Sequence, residues 1–212
     1  MKKQFAVFGL GSFGMSVAVN LQRLGCEVIA VDEDEQKVKA VASKVSYALV
    51  ANVGSPDLHE IMGTKNLDGV VVAVAEMEAS ILATMVSKER GVPVVIAKAK
   101  NELHEKVLKK VGADYIIYPE KEMGERIARS VLSKSFSDWI ALSDEYSMVE
   151  VAAPRKWIGK SLRELDVRKN WNVNVVGTKM GEKVEVNTDP DAPLSEGVIL
   201  ILVGANEDLE KI

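Results

Sequence analysis

Phe5-Ala6-Val7-Phe8-Gly9-Leu10-Gly11-Ser12-Phe13-Gly14 joins a short apolar run to a glycine-spaced turn, and the fold of the first half follows from it. Four apolar residues stopped by a glycine are too few for a buried helix and read as a buried strand. The turn that follows opens a helical pattern. In that setting Gly9 permits a tight bend, Gly11 leaves room for a pyrophosphate, and Gly14 lets the helix lie close to the sheet. The first N–H groups of the helix and its dipole then favour phosphate. A second apolar run, Val28-Ile29-Ala30-Val31, ends in Asp32, 18 residues after Gly14. A carboxylate there accepts hydrogen bonds from the ribose hydroxyls of an adenosine and repels a 2′-phosphate, which disfavours NADP.

Outward from this unit the pattern repeats. Apolar runs at 5–8, 28–31, 47–50, 69–74, 94–97 and 115–118 alternate with helical stretches such as 36–43, 80–90 and 102–111. Gly25, Gly91 with Pro93, and Gly112 punctuate the helix ends. Strands rich in Val and Ile, with little polar alternation, belong to a parallel sheet covered on both faces. The expected fold is α/β, a Rossmann-type doubly wound parallel sheet. Ligands of such sheets bind beyond the carboxyl ends of the strands. The candidate cofactor site is therefore the turn itself (Gly9, Leu10, Gly11, Ser12, Phe13, Gly14) with Asp32 and Glu33. Asn52, Val53, Ala73, Val74, Ala75 and Lys98 complete it from the later strand ends, Lys98 being either a phosphate partner or a solvated lysine.

After Pro119 the rhythm breaks. Residues 120–134 read as one helix with an apolar stripe at Met123, Ile127, Val131 and Leu132, and 136–142 as a second, short one. Met148-Val149-Glu150-Val151 changes the texture, a short helix is expected at 161–165, and strands at 173–177, 183–186 and 198–203. The domains expected are 1–134 and a small α+β unit, 135–212. A core that thin gains from dimerisation.

Composition narrows the function. The net charge of −4 over 212 residues lacks the basic stripe that nucleic acid requires, so no nucleic-acid partner is expected. A single cysteine, Cys26, rules out an intrachain disulfide and suits a reducing, cytoplasmic setting. The apolar runs 70–75 and 198–203 are far below the ~18 residues that span a bilayer. His59 and His104 have polar neighbours and read as surface residues, and no acid–base set accompanies the glycine turn. A small NAD-dependent oxidoreductase is the alternative function, and it lacks a proton donor beside the nicotinamide. A DNA-binding redox sensor lacks its basic helix-turn-helix arm.

Several segments together resemble the RCK family of cytosolic regulators of potassium transport, in particular its Ktr/Trk-type gating subunits. They are the glycine turn with Asp32, Lys98-Ala99-Lys100-Asn101, Gly112-Ala113-Asp114, Pro119-Glu120-Lys121-Glu122-Met123-Gly124, and residues 158–168 from Ile158-Gly159-Lys160 to Arg168. The resemblance spans nearly the whole chain. It implies a non-enzymatic, nucleotide-switched subunit that pairs, assembles into an octameric ring and docks on a membrane K⁺ channel or transporter at the inner face of the cell membrane. The switching ligand is implied to be ATP or ADP, or NAD(H) or AMP. Ser12 stands where Ktr-type members often carry an arginine that reaches the γ-phosphate, which keeps all of these in play. The resemblance also implies Mg²⁺ or Ca²⁺ at Glu120, held at the dimer interface beside the nucleotide, where a carboxylate equally suits a helix start. Finally, it implies cyclic di-AMP between two C-terminal units at Leu162, Asp166, Val167, Arg168 and Pro190, residues that otherwise form a solvated charge cluster.

Overall fold

The computed structural model describes residues 2–55, 67–132 and 139–212. Its contacts divide the chain into two compact units, Met1–Lys121 and Glu122–Ile212. In the first unit strands β1 (Gln4–Phe8), β2 (Glu27–Asp32), β3 (Tyr47–Val50), β4 (Gly69–Val72), β5 (Val94–Lys98) and β6 (Tyr115–Ile117) form one sheet in the order β3-β2-β1-β4-β5-β6. All its pairings are parallel, and the central strand aligns Phe8 with Val31 on one side and Val72 on the other. Strand order reverses between β1 and β4, so the carboxyl ends of those strands open a crevice at the switch point.

Side chains alternate across the sheet. Phe8, Val31, Val72 and Val95 bury on one face, and Val7, Val28, Ala30 and Val71 on the other. Each fully buried Phe or Leu contributes about 1.5–3 kcal/mol of transfer free energy. Among the described residues the covering helices are α1 (Ser12–Arg23), α2 (Glu35–Ala42), α3 (Met77–Glu89) and α4 (Glu102–Lys110). Asp34 caps α2 through the Gln36 amide and Asn101 caps α4 through the His104 amide.

His104 is a correction to the expected surface histidine. It is fully buried, because it shares the inward stripe of α4 with Leu108 one turn later, and its Nδ1 accepts from the Lys100 amide at 3.3 Å. Burial and the nearby Lys100 charge hold its pKa below the ordinary histidine range. His59 lies outside the described residues.

Helix α5 (Pro119–Leu132) carries the expected stripe, and the boundary between the two units falls inside it. Met123, Ile127 and Val131 are each at least half exposed in the single chain. Lys134 and residues 136–138 lie outside the described residues. The helix expected at 136–142 is corrected by its last part: Trp139–Ala141 is strand β7, paired antiparallel with β8 (Tyr146–Ala152) from Trp139 opposite Val149. Three residues have little intrinsic preference, and the ladder of a neighbouring strand decides their conformation.

The second unit is a five-stranded antiparallel sheet, β10-β9-β11-β8-β7, built with β9 (Val173–Met180), β10 (Lys183–Glu185) and β11 (Ile199–Ala205). Helices α6 (Leu162–Leu165), α7 (Val167–Trp171) and α8 (Asn206–Leu209) contribute to its core with Val149, Trp157, Leu200 and Leu202. Trp157 meets Trp171 edge-on at 4.7 Å between centroids. Ser161 and Glu164 form a reciprocal capping box that starts α6.

Candidate functional site

The carboxyl edge of the parallel sheet holds a cleft of ≈ 260 Å³. Gly9, Gly11, Asp32, Glu33, Asn52, Val53, Ala73, Val74 and Ala75 line it, joined by Lys37, Ala51, Glu76 and Ala79. Nine of the expected cofactor residues thus meet around one cavity. Leu10, Ser12, Phe13, Gly14 and Lys98 do not line it.

The glycine turn explains the shape of this cleft. Gly9 has φ +88°, and a Cβ there would lie 2.8 Å from the Ala73 carbonyl group at the end of β4. A Cβ on Gly14 would lie 1.9 Å from the Gly9 carbonyl oxygen, so the helix closes directly on its own turn. A Cβ on Gly11 would meet open space, which leaves the backbone bare towards the cavity. Gly11 is the N-cap of α1 and offers no side-chain cap, and the first turn holds no acidic residue. Amide N–H groups at that helix start are therefore free of an internal anion.

Asp32 anchors the opposite wall. Only 8% exposed, it accepts from the Leu10 amide on Oδ2 at 2.5 Å and from the Asp34 amide on Oδ1 at 2.9 Å. Lys37 Nζ stands 3.4 Å from the same Oδ1. Burial pushes the Asp32 pKa up, and the two amides with the Lys37 ammonium more than offset that, leaving it below the usual carboxylate value. It is ionised at neutral pH, a fixed acceptor for hydroxyl donors. Asn52 Oδ1 accepts from the Gly54 amide at 2.7 Å and shapes the loop after β3. Lys37 escaped sequence reasoning, although the signal was there: it sits in the first turn of the helix that follows Asp32.

Lys98 ends β5 and forms an ion pair with the largely exposed carboxylate of Glu120 at the start of α5. Its ammonium is the first cause of the lowered Glu120 pKa. Among the described residues no three His, Cys, Asp or Glu side chains gather as a metal cluster. A wider groove of ≈ 830 Å³ is lined by α4 residues with Lys100, Tyr118 and Lys121. Its Tyr118 hydroxyl donates to Glu105 at 2.8 Å, and burial with that carboxylate pushes the phenol up to about 12. This groove has no glycine turn and no bare helix start.

The second unit has its own cleft, ≈ 600 Å³, lined by Leu162, Asp166, Val167, Arg168 and Pro190 together with β9 residues Val173 to Gly177. The five residues named for a second ligand therefore share one cavity. Asp166 joins α6 to α7 in the left-handed region at φ +45°, uncommon for a residue other than glycine. The Arg163 amide donates to the Pro190 carbonyl at 2.9 Å, tying the later loop to α6. The Arg163 guanidinium is committed to Asp191 through a two-point fork at 2.5 and 3.1 Å. Arg168 is exposed at the cleft, and no carboxylate holds it among the described residues.

Comparison with known proteins extends over both units. Residues 5–119 match the TrkA-N domain family and residues 146–212 the TrkA-C domain family. The chain is 40% identical over 212 residues to the Ktr system potassium uptake protein C of Bacillus subtilis, covering 100% of this chain and 96% of that protein. It is 40% identical over 210 residues to the Ktr system potassium uptake protein A of the same organism, covering 99% and 95%. The Vibrio alginolyticus Ktr system potassium uptake protein A is 39% identical over 208 residues, covering 98% and 94%. Among solved structures, the GsuK channel bound to NAD shares the fold with a TM-score of 0.56 at 19% identity, over 99% of this chain and 38% of that one.

Proposed function

We propose that this chain, which belongs to the RCK family through its TrkA-N and TrkA-C domains, is the nucleotide-switched regulatory subunit of a K⁺ uptake system. One observation carries the reading. The glycine turn and a buried, ionised Asp32 line the same cleft at the switch point of the sheet, in a chain similar over its full length to Ktr potassium uptake proteins.

The ligand proposed is an adenine nucleotide. Its phosphates take the bare start of α1 and its ribose hydroxyls the Asp32 carboxylate. Three carboxylates (Asp32, Glu33, Glu76) and one ammonium (Lys37) line the cleft, so the anionic groups rely on backbone N–H donors. With Ser12 at the fourth position of the turn, AMP, ADP and NAD(H) stand beside ATP as ligands. Switching requires that the ligand bind one conformation of the assembly more tightly than another, since equal binding shifts nothing.

The partner proposed is a membrane K⁺ channel or transporter subunit, met at the inner face of the membrane by a homodimer that assembles into an octameric ring. The half-exposed Met123, Ile127 and Val131 of α5 support pairing, because a second copy would cover them. No described helix is long and apolar enough to cross a membrane. Catalysis as an oxidoreductase finds no support at the cleft: His104 is enclosed in the core and does not line it.

Mg²⁺ or Ca²⁺ at Glu120 does not fit one chain by itself. A hard divalent cation takes six or more oxygens, whereas Glu120 is a single carboxylate already held by Lys98. Cyclic di-AMP is the ligand proposed for the ≈ 600 Å³ cleft, where Arg168 would fork onto a phosphate and Leu162 and Val167 would cover an adenine.

The test is a thermal-shift panel on the full chain with AMP, ADP, ATP, NAD⁺, NADH and cyclic di-AMP. A ligand that binds only the folded state raises the melting temperature by mass action. No shift with any mononucleotide or dinucleotide at millimolar concentration would refute the cleft reading.

A further inference from the structure

We infer that the Arg163–Asp191 pair makes the second cleft selective for dinucleotides that carry only phosphodiester charge, and that it turns away ligands ending in a phosphomonoester. The inference rests on the reading of the ≈ 600 Å³ cleft as a cyclic di-AMP site. Three charged side chains line that cleft: Arg163, Asp166 and Arg168. The two guanidiniums differ in availability. Arg163 gives Nε and Nη2 to the two carboxylate oxygens of Asp191 at 2.5 and 3.1 Å. That contact holds its pKa above the ordinary value, and the charge of Asp189 acts in the same direction. Two carboxylates therefore stand against one guanidinium at this rim.

The backbone keeps the pair in place. The Arg163 amide donates to the Pro190 carbonyl at 2.9 Å, and the Asp191 amide donates to Asp189 Oδ1 at 2.9 Å. Both partners thus start from one fixed turn against α6. Arg168 remains as the lining cation that no carboxylate holds among the described residues. One guanidinium matches one singly charged phosphodiester. A terminal phosphomonoester brings about −1.5 to −2 charges at neutral pH. It finds no second free cation in the cleft and meets Asp166 with the Asp189 and Asp191 carboxylates nearby. By withholding Arg163, Asp191 sets this limit.

The test is calorimetry of the full chain at neutral pH with two ligands, cyclic di-AMP and linear 5′-phosphorylated diadenylate. The linear ligand is the cyclic one with a single phosphodiester opened to a monoester. A cyclic ligand is also the more rigid, so the signature is the change between variants and not the wild-type preference. Asp191→Ala releases Arg163 and should tighten the linear ligand about tenfold, the scale of one charge-assisted partner, with cyclic di-AMP held within about twofold. Asp191→Glu keeps a carboxylate on the fork and should keep the wild-type order. Adding Arg163→Gln to Asp191→Ala should abolish the gain, which loosening of the loop alone would not do. The inference is overturned, and the cyclic di-AMP reading stands, if Asp191→Ala leaves the linear ligand unchanged with an intact circular dichroism spectrum. It is overturned equally if both ligands tighten together or the gain survives Arg163→Gln. If the wild-type chain does not bind cyclic di-AMP at all, that reading fails and takes this inference with it.

Discussion

The two clefts of this molecule are built in different ways. In the first unit the end proposed for phosphate is backbone: a bare helix start behind Gly9, Gly11 and Gly14, with a buried carboxylate opposite. In the second unit the cleft is wider and its polar elements are side chains, chiefly exposed Arg168 and left-handed Asp166. Backbone donors cost no rotamer entropy when a ligand arrives, whereas a long guanidinium side chain must be ordered. The first design favours a rigid, pre-formed site. The second leaves the exposed Arg168 to be ordered by whatever it binds.

If that contrast is right, altering the backbone of the first cleft should have the largest effect. Gly14→Val sets side-chain atoms where even a Cβ lies 1.9 Å from the Gly9 carbonyl oxygen. We expect a loss of at least ~3 kcal/mol or failure to fold, read by urea denaturation. A variant with near wild-type stability would mean the turn can relax, and the site would not be rigid.

Asp32→Ala comes next. Adenine-nucleotide affinity should fall at least about tenfold, with ~1–3 kcal/mol of stability lost as the Leu10 and Asp34 amides lose their acceptor. The pH dependence has a definite sign. Because the folded pKa lies below 3.8, the stabilisation by this carboxylate is complete above about pH 4 and lost as pH falls through the folded value. Wild type and variant should therefore converge in stability as the pH falls below the folded value, and a difference undiminished by acid would contradict the assignment.

Arg168→Ala sharpens the comparison from the other side. Cyclic di-AMP affinity measured by calorimetry should drop about tenfold, while nucleotide binding to the first unit and overall stability stay unchanged. Should the wild-type full chain, shown to be dimeric or larger, fail to bind cyclic di-AMP, the second cleft would have a different ligand.

The smallest effect is expected at Glu120→Gln. The Lys98–Glu120 pair is largely exposed on the glutamate side, and such pairs contribute about 0–1 kcal/mol. Added Mg²⁺ or Ca²⁺ should raise the melting temperature of wild type no more than that of the variant. A cation-dependent rise confined to wild type would bring the divalent ion back to Glu120.

The first unit was legible because its signals are local. A four-residue apolar run, three glycines and a following Asp specify strand, turn, helix and acceptor within about thirty residues, and the structure brings nine of the expected cofactor residues to one cavity. Asn52, Val53 and the segment from Ala73 to Ala75 followed from the rule that parallel strands present their carboxyl ends together. Short elements were less legible. Residues 139–141 became a strand only through pairing with β8, and α7 and α8, at five and four residues, are too short for a helical period to register.

Sequence alone determined the parallel sheet, the bare helix start and the carboxylate at the end of β2, because each depends on backbone sterics and periodicity that neighbouring residues dictate. Tertiary structure decided which charges meet. It enclosed His104 beneath the α4 stripe, drew Lys98 to Glu120 away from the cleft wall, and brought Pro190 to α6 through the Arg163 amide. It also set the Lys37 ammonium beside Asp32 Oδ1. Such contacts depend on where flexible side chains and distant segments come to rest, which no local pattern of residues dictates.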